Sequence, residues 1–251
     1  MNMTMEQEKR PLKAAVLAAG KGTRMHTEGC DLPKVLRQAK GRPLLAWVLD
    51  ALDFIPPRDT VLVVGYQREK VLAAFPDYAS AVQDRQLGTG HAVMAAFAAL
   101  EDYAGDLLVC CGDMPLLKRE TYLALCARHR ETGAACTVLS GTTDIPLPYG
   151  RILRDAHGAF LGMVEDRDCT PEQKEIRELN SGVYVFDAAA LREVLGQLRQ
   201  DNAQGEYYLT DAPLLMQQQG RLVEVCQREL GMEILGVNTP QQLAEVEALL
   251  P

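Results

Sequence analysis

Residues 60–64 (TVLVV) and 106–111 (DLLVCC) are strand-length runs whose apolar residues do not alternate with polar ones. A strand with one face in water alternates apolar and polar side chains. A run without alternation needs cover on both faces. Residues 14–17 are a shorter run of the same kind, and 79–82 and 135–139 read as further strands. Helical patterning separates them at 43–52, 67–75, 91–100 and 118–132. Strands and helices in this alternation predict an α/β fold, a Rossmann-like mixed but mostly parallel sheet with helices on both sides.

The second half changes character. Residues 150–154, 160–164 and 182–186 read as strands, with few helices between them before Ala188, which suggests a β-rich insertion on the substrate side. A helix is expected over 207–218 and a strand over 222–226. Thr239-Pro240 supplies a cap and a first-turn proline for a closing helix to Leu250. There are no repeats, low-complexity tracts or linkers. The expected organisation is one domain over 1–251, with parts at about 12–140 and 141–238 and the closing helix at 239–250.

With a net charge of −8, the 251-residue chain is not expected to bind nucleic acid or an anionic membrane surface, which would repel it. Its seven cysteines, at 30, 110, 111, 126, 136, 169 and 226, are odd in number and contain no C-x-x-C pair. Neither a disulfide framework nor a zinc site is suggested. The N-terminal apolar run 14–19 is short for a signal core and is followed at once by Lys21 and Arg24, so export is not expected. No stretch approaches the ~18 apolar residues of a membrane span. A cytoplasmic protein acting on small molecules, with no membrane partner, is the expectation; oligomeric state is left open.

In this acidic chain the doubly basic loop LAAGKGTRM, residues 17–25, needs a local reason. Strand, glycine-rich turn and helix make a phosphate cradle, because unpaired backbone N–H groups and the helix dipole favour an anion. Spacing excludes two versions of it. Gly20-Lys21-Gly22-Thr23 is not a Walker loop, and Met25 stands where a dinucleotide fingerprint needs its third glycine. On local pattern alone, a glycine turn carrying two surface cations explains the loop equally well.

The wider series of motifs favours the phosphate reading. LAAGKGTRM is followed by Leu32-Pro33-Lys34, then Gln83 with QLGTGHA at 86–92, GDMPL at 112–116 and Tyr149-Gly150-Arg151. Val164-Glu165, Asn180-Ser181-Gly182, QGEYYLTD at 204–211 and Gly236-Val237-Asn238 complete it. In this order, over nearly the whole chain, the set resembles the sugar-nucleotide pyrophosphorylases. It looks most like the uridylyltransferase domain of bacterial N-acetylglucosamine-1-phosphate uridylyltransferases.

That resemblance implies a fold of the nucleotide-diphospho-sugar transferase type, with nucleotide binding in the first part and sugar binding in the second. It implies that a phosphate oxygen of N-acetylglucosamine 1-phosphate attacks the α-phosphorus of UTP and expels pyrophosphate. Positioning and charge neutralisation do most of the work in such a reaction, and no side-chain nucleophile is needed. Arg24 and Lys34 become the phosphate-handling, catalytic cations. Leu17, Ala18, Ala19, Gly20, Gln83, Gly88, Thr89, Cys111 and Gly112 become the nucleotide-binding set, with the Gln83 amide able to read a pyrimidine edge. Gly150, Glu165 and Asn180 fall to the sugar, and Asp113 with Asn238 to Mg²⁺. Lys21 stays between ligand and solvent. His91, without an evident partner, reads as structural, and Tyr207-Tyr208 as core.

Three departures qualify the match. Residues 26–31 lengthen the run before Leu-Pro-Lys, and Cys111 stands where relatives often carry tyrosine. The sequence reaches Pro251 without β-helix hexapeptide repeats, so neither acetyl transfer nor the trimer those repeats build is expected. A nucleotidyltransferase of other specificity, using a cytidylyl or guanylyl donor, and a non-catalytic nucleotide-sugar-binding regulator remain the alternatives.

Overall fold

The computed structural model describes residues 10–25, 32–143 and 145–251. In chain order its elements are β1 (Leu12–Ala18), β2 (Gln38–Ala39), β3 (Arg42–Pro43), α1 (Leu44–Ala51), β4 (Thr60–Val64), α2 (Arg68–Ala74), β5 (Ala79–Val82), α3 (Thr89–Ala96), β6 (Asp106–Cys111) and α4 (Arg119–Thr132). There follow β7 (Cys136–Thr142), β8 (Arg151–Arg154), β9 (Phe160–Val164), α5 (Pro171–Lys174), β10 (Glu178–Asp187), α6 (Ala188–Leu195), α7 (Asp211–Gln218), β11 (Val223–Arg228) and α8 (Pro240–Leu249).

The main sheet has the order β11-β7-β10-β6-β1-β4-β5, and β8 and β9 branch from β10. The pairings of β1 with β4 and β6, β4 with β5, and β7 with β11 are parallel. Those involving β8, β9 or β10 are antiparallel. The expected mixed, mostly parallel sheet is thus observed. Its two faces explain the unbroken apolar runs. Ala14, Val16, Leu62, Val64, Leu108 and Cys110 enter one core layer with Leu45 of α1 and Leu125 of α4. Their neighbours Ala15, Val61, Val63, Leu107 and Val109 enter the opposite layer with Val93 of α3 and Leu191 of α6. Each residue of such a strand meets a hydrophobic layer, so alternation never arises.

Several local expectations change. Helix α3 starts at Thr89 and ends at Ala96 instead of spanning 91–100. Helix α7 starts at Asp211, because Tyr207 pairs with the turn before α3: its amide donates to Leu87 O and its carbonyl accepts from Gly90 N, both at 2.8 Å. The strand expected over 182–186 extends from Glu178 to Asp187, with a register shift between Asn180 and Val183. The short β2–β3 pair and α5 were not anticipated from the sequence; α5 is one turn held by a capping box between Thr170 and Gln173.

Candidate active site

The sheet order reverses at β1, where the chain first builds outward through β4 and β5 and later returns to place β6 on the other side. Ligands in open α/β sheets gather at the carboxyl ends of strands beside such a reversal. Leu17 of β1 lies opposite Cys111 of β6, and the Gly112 amide donates to Leu17 O at 3.0 Å. The loops after these strands, carrying Ala19-Gly20 and Gly112-Asp113, therefore open side by side. Gln83 follows β5 at the same edge, its amide bonded to Val64 O at 2.8 Å.

A cleft with two joined halves occupies this edge. The first half, a cavity of about 240 Å³, is lined by Leu17, Ala18, Ala19, Gly20, Lys34, Gln83, Gly88, Thr89, Cys111 and Asp113, with Gln86 and Glu206 among the others. The second half, about 200 Å³, is lined by Gly150, Glu165, Asn180 and Asn238, with Tyr149, Ser181, Tyr184 and Thr210 among the others. Leu17, Thr89, Cys111 and Asp113 line both. Each volume falls below the ~300–1,000 Å³ usual for small-molecule sites, so a ligand of nucleotide-sugar size would need both halves. Arg24 and Gly112 line neither half but contact residues that do, Arg24 through Asn238 Oδ1 and Gly112 through Leu17 O. The sequence-predicted site residues thus lie in or beside one cleft; residues 26–31 are outside the described residues.

At the junction of the halves stands a polar knot. The Lys34 ammonium contacts Asp113 Oδ2 and lies 3.1 Å from Asn238 Oδ1, while Arg24 Nη2 approaches the same oxygen at 3.4 Å. Backbone bonding makes this meeting possible. The Val237 amide donates to Asp113 O at 2.9 Å and sets Asn238 beside the aspartate. Asn238 is held in turn by its amide bond to Gln242 Oε1 at 2.8 Å, in the first turn of α8. Gly22 has a φ of 61°, and a Cβ there would stand 2.7 Å from Lys34 Cβ. Only glycine lets the Arg24 loop and the Lys34 segment approach this closely. Lys21 is exposed.

In the nucleotide half, the Gln83 side chain is 4% exposed and its Nε2 donates to Gly88 O at 3.0 Å. The same nitrogen lies 3.1 Å from Nδ1 of His91. Gly88 has a φ of 104°, and a Cβ there would stand 2.6 Å from Tyr207 O, so glycine is required on both counts. The Thr89 hydroxyl accepts from the Leu209 amide at 3.0 Å and clamps the turn to the segment before α7.

The sugar half is made possible by β10 running against its neighbours, which brings its first residues to the edge where the parallel strands end. The register shift puts Ser181 and Gly182 out of the ladder, and the Ser181 hydroxyl secures the distortion by donating to Leu139 O at 2.7 Å. Asn180 is committed on both ends of its amide. Nδ2 donates to the Tyr184 hydroxyl at 2.7 Å, and Oδ1 accepts from the Gly182 amide at 3.1 Å. A Cβ on Gly150 would lie 3.6 Å from Asn180 Cβ and 3.7 Å from Glu165 Oε2, which brings the three predicted sugar residues together. Glu165 is not a solvated member of its acidic run: it accepts from the Thr210 hydroxyl at 3.0 Å, and burial raises its pKa. Burial pushes the Cys111 thiol up to about 12, which favours its neutral form at physiological pH.

Tyr184, Ser181 and Thr210 are among the lining side chains that sequence reasoning left without a role, and His91 stands behind the cleft against Gln83. Tyr184 carried no signal beyond residue type, whereas Ser181 and Thr210 sat within the motifs at 180–182 and 204–211. His91 sat within QLGTGHA, eight residues from Gln83, but only the turn at Gly88 brings the two side chains together.

Residues 14–211 match the MobA-like NTP transferase domain family. The Bifunctional protein GlmU of Pelotomaculum thermopropionicum is 43% identical over 240 residues, covering 95% of this chain and 52% of that protein. The protein of the same name from Mycobacterium bovis strain BCG is 43% identical over 244 residues, 94% of this chain and 49% of its own. That of Heliobacterium modesticaldum is 46% identical over 238 residues, 94% and 51%. The chain thus spans about half the length of these curated relatives.

Proposed function

The chain belongs to the MobA-like NTP transferase domain family, and from that premise we propose that it is a sugar-1-phosphate nucleotidyltransferase joining UTP to N-acetylglucosamine 1-phosphate. A phosphate oxygen of the sugar substrate bonds to the α-phosphorus as the bond to the β-phosphate bridging oxygen breaks, and pyrophosphate leaves with that oxygen. The observation that carries this reading is the convergence of Arg24, Lys34, Asp113 and Asn238 where the two halves of the cleft meet. A triphosphate in one half and a sugar phosphate in the other would bring their reacting groups to that point.

In this reading Lys34 neutralises charge at the α-phosphate, while the guanidinium of Arg24 takes the departing phosphates with its fork of donors. Gly150, Glu165 and Asn180 hold the sugar, and Gln83, Gly88 and Thr89 the base. Asp113 and Asn238 direct a carboxylate and an amide oxygen at one cation, the Lys34 ammonium. The same hard-oxygen pair fits a divalent ion such as Mg²⁺. When bound, that ion supplies charge neutralisation on the phosphate oxygens.

A matrix of four nucleoside triphosphates against several sugar 1-phosphates, with pyrophosphate release as the readout, tests the proposal. The expected result is highest turnover for UTP with N-acetylglucosamine 1-phosphate. Release with another pair alone would reassign specificity, and no release from any pair would defeat the enzyme reading.

A further inference from the structure

We infer that His91 is a positioning residue for base selection: it fixes the Gln83 amide so that its carbonyl oxygen faces the nucleotide half of the cleft. The inference rests on the reading of that half as the base site. A side-chain amide has a donor end and an acceptor end, and its surroundings decide which one a ligand meets. Here the surroundings are decisive. The backbone carbonyl of Gly88 can only accept, so the atom 3.0 Å from it must be the nitrogen. The second hydrogen of that nitrogen goes to Nδ1 of His91 at 3.1 Å, which requires Nδ1 to be unprotonated.

Both donors of the Gln83 amide are then used inside the protein. Its Oε1 has no protein partner among the described residues, and Gln83 lines the cavity. Rotating the amide by half a turn would set Oε1 against Gly88 O, acceptor against acceptor. In the tautomer whose Nδ1 is unprotonated, His91 is a second acceptor for the same NH₂ and disfavours the rotated form. The imidazole is itself held, stacked on the Tyr207 ring at 6.4 Å between centroids and an interplanar angle of 24°. Tyr207 is tied to the same turn through Leu87 and Gly90.

An outward-facing acceptor discriminates between two pyrimidines of equal size. Uracil presents an N3–H donor on its pairing edge, whereas cytosine presents N3 as a bare acceptor. With Oε1 opposite N3, the locked amide accepts from uracil and meets the lone pair of cytosine, acceptor against acceptor. Without His91, one of the two acceptors that oppose rotation is gone, and the amide can turn its NH₂ toward cytosine.

The test compares kcat/KM for UTP and CTP, together with KM for the sugar phosphate, in the wild type, His91→Phe and His91→Asn. Phenylalanine keeps a ring on Tyr207 without an acceptor, whereas the asparagine oxygen replaces the acceptor at Nδ1. His91→Phe is expected to lose about tenfold or more of the preference for UTP over CTP. Its kcat at saturating UTP and its KM for sugar phosphate should stay within about threefold of wild type. His91→Asn is expected to recover most of the preference. Should the phenylalanine variant not fold, His91→Leu carries the same expectation, and calorimetric titration of UTP and CTP reports the ratio even without turnover. An unchanged ratio in His91→Phe, or a loss spread equally over both nucleotides and the sugar phosphate, overturns the role of His91. A wild-type enzyme that does not distinguish UTP from CTP instead overturns the base assignment itself, before any variant is made.

Discussion

Strand β6 has an aspartate at each end of its track: Asp106 at its first residue and Asp113 two residues past its last. The two acids share a strand but not a task. Asp106 is 2% exposed, with Arg10 Nε at 3.0 Å, Arg130 Nε at 3.6 Å and His129 Nε2 at 3.7 Å. The Arg10 contact is close enough for ion pairing, but its Oδ1 lacks a well-aligned hydrogen bond. Arg10 also reaches Asp187 at 2.9 Å and Ala104 O at 3.0 Å, so this end ties the residue ahead of Pro11 to β10 and the loop before β6. Asp113 opens instead into the cleft, beside Lys34 and Asn238. Residue type does not separate these acids. Strand direction does, because parallel strands deliver their following loops to the carboxyl edge, while their amino edge is closed by packing and ion pairing.

If the two ends divide function from stability, variants at each should move different observables. The largest effect is expected for Asp113→Asn: turnover falls on the order of 10³-fold while the urea midpoint is retained. Lys34→Ala and Arg24→Ala come next, each lowering kcat/KM by about 10²–10³ in pyrophosphate-release assays, again with an unchanged unfolding midpoint. Near-wild-type turnover in both would remove the phosphate assignment. Asn238→Ala removes a neutral oxygen rather than a charge and should cost about 10–100-fold, partly restored by raised Mg²⁺ and abolished by a chelator.

Asp106→Asn should give the opposite pattern. It leaves Arg10 and Arg130 without their shared anion and is expected to lower stability by about 1–3 kcal/mol, softened because both arginines reach solvent. Its kcat/KM per folded molecule should be unchanged; a large loss there would break the division. The smallest effect sharpens it from the other side, since Glu165 lies in the cleft yet should carry a stability signature. Burial raises its folded pKa above the unfolded value near 4.5, so the native state keeps the proton to higher pH. Its contribution is full below the unfolded pKa and is lost as pH rises through the folded one. The thermal midpoint of the wild type relative to Glu165→Gln should therefore decline over that window; a difference independent of pH would refute the assignment.

Where the chain is strongly patterned, its elements were legible. The bounds expected for β4, β5, β6 and β9 are those observed; for β4 and β6 this is because unbroken apolar runs end sharply at polar or turn residues. The start of α7 was open to reading as well. Pro213 falls in its first turn, and proline is tolerated there but not in a helix interior, so a start at Tyr207 was disfavoured by the sequence itself. The first residues of β10 offered no such clue. Glu178, Asn180 and Ser181 are poor strand formers, and the segment is extended because β7 and Arg151 of β8 hold it.

The sequence by itself determined a doubly covered, mostly parallel sheet and the motif loops at strand ends. These follow from periodicity, spacing and side-chain chemistry, which are local properties. Only the tertiary structure decided that Asn238 meets Asp113 through a backbone bond from Val237, that Asn180 leans on Tyr184, and that His91 holds Gln83. Such contacts depend on crossover order, a register shift and one left-handed glycine turn. Their geometry is fixed only once separate elements have packed, because a side chain's partner is set by where the backbone brings it and not by its neighbours in the chain.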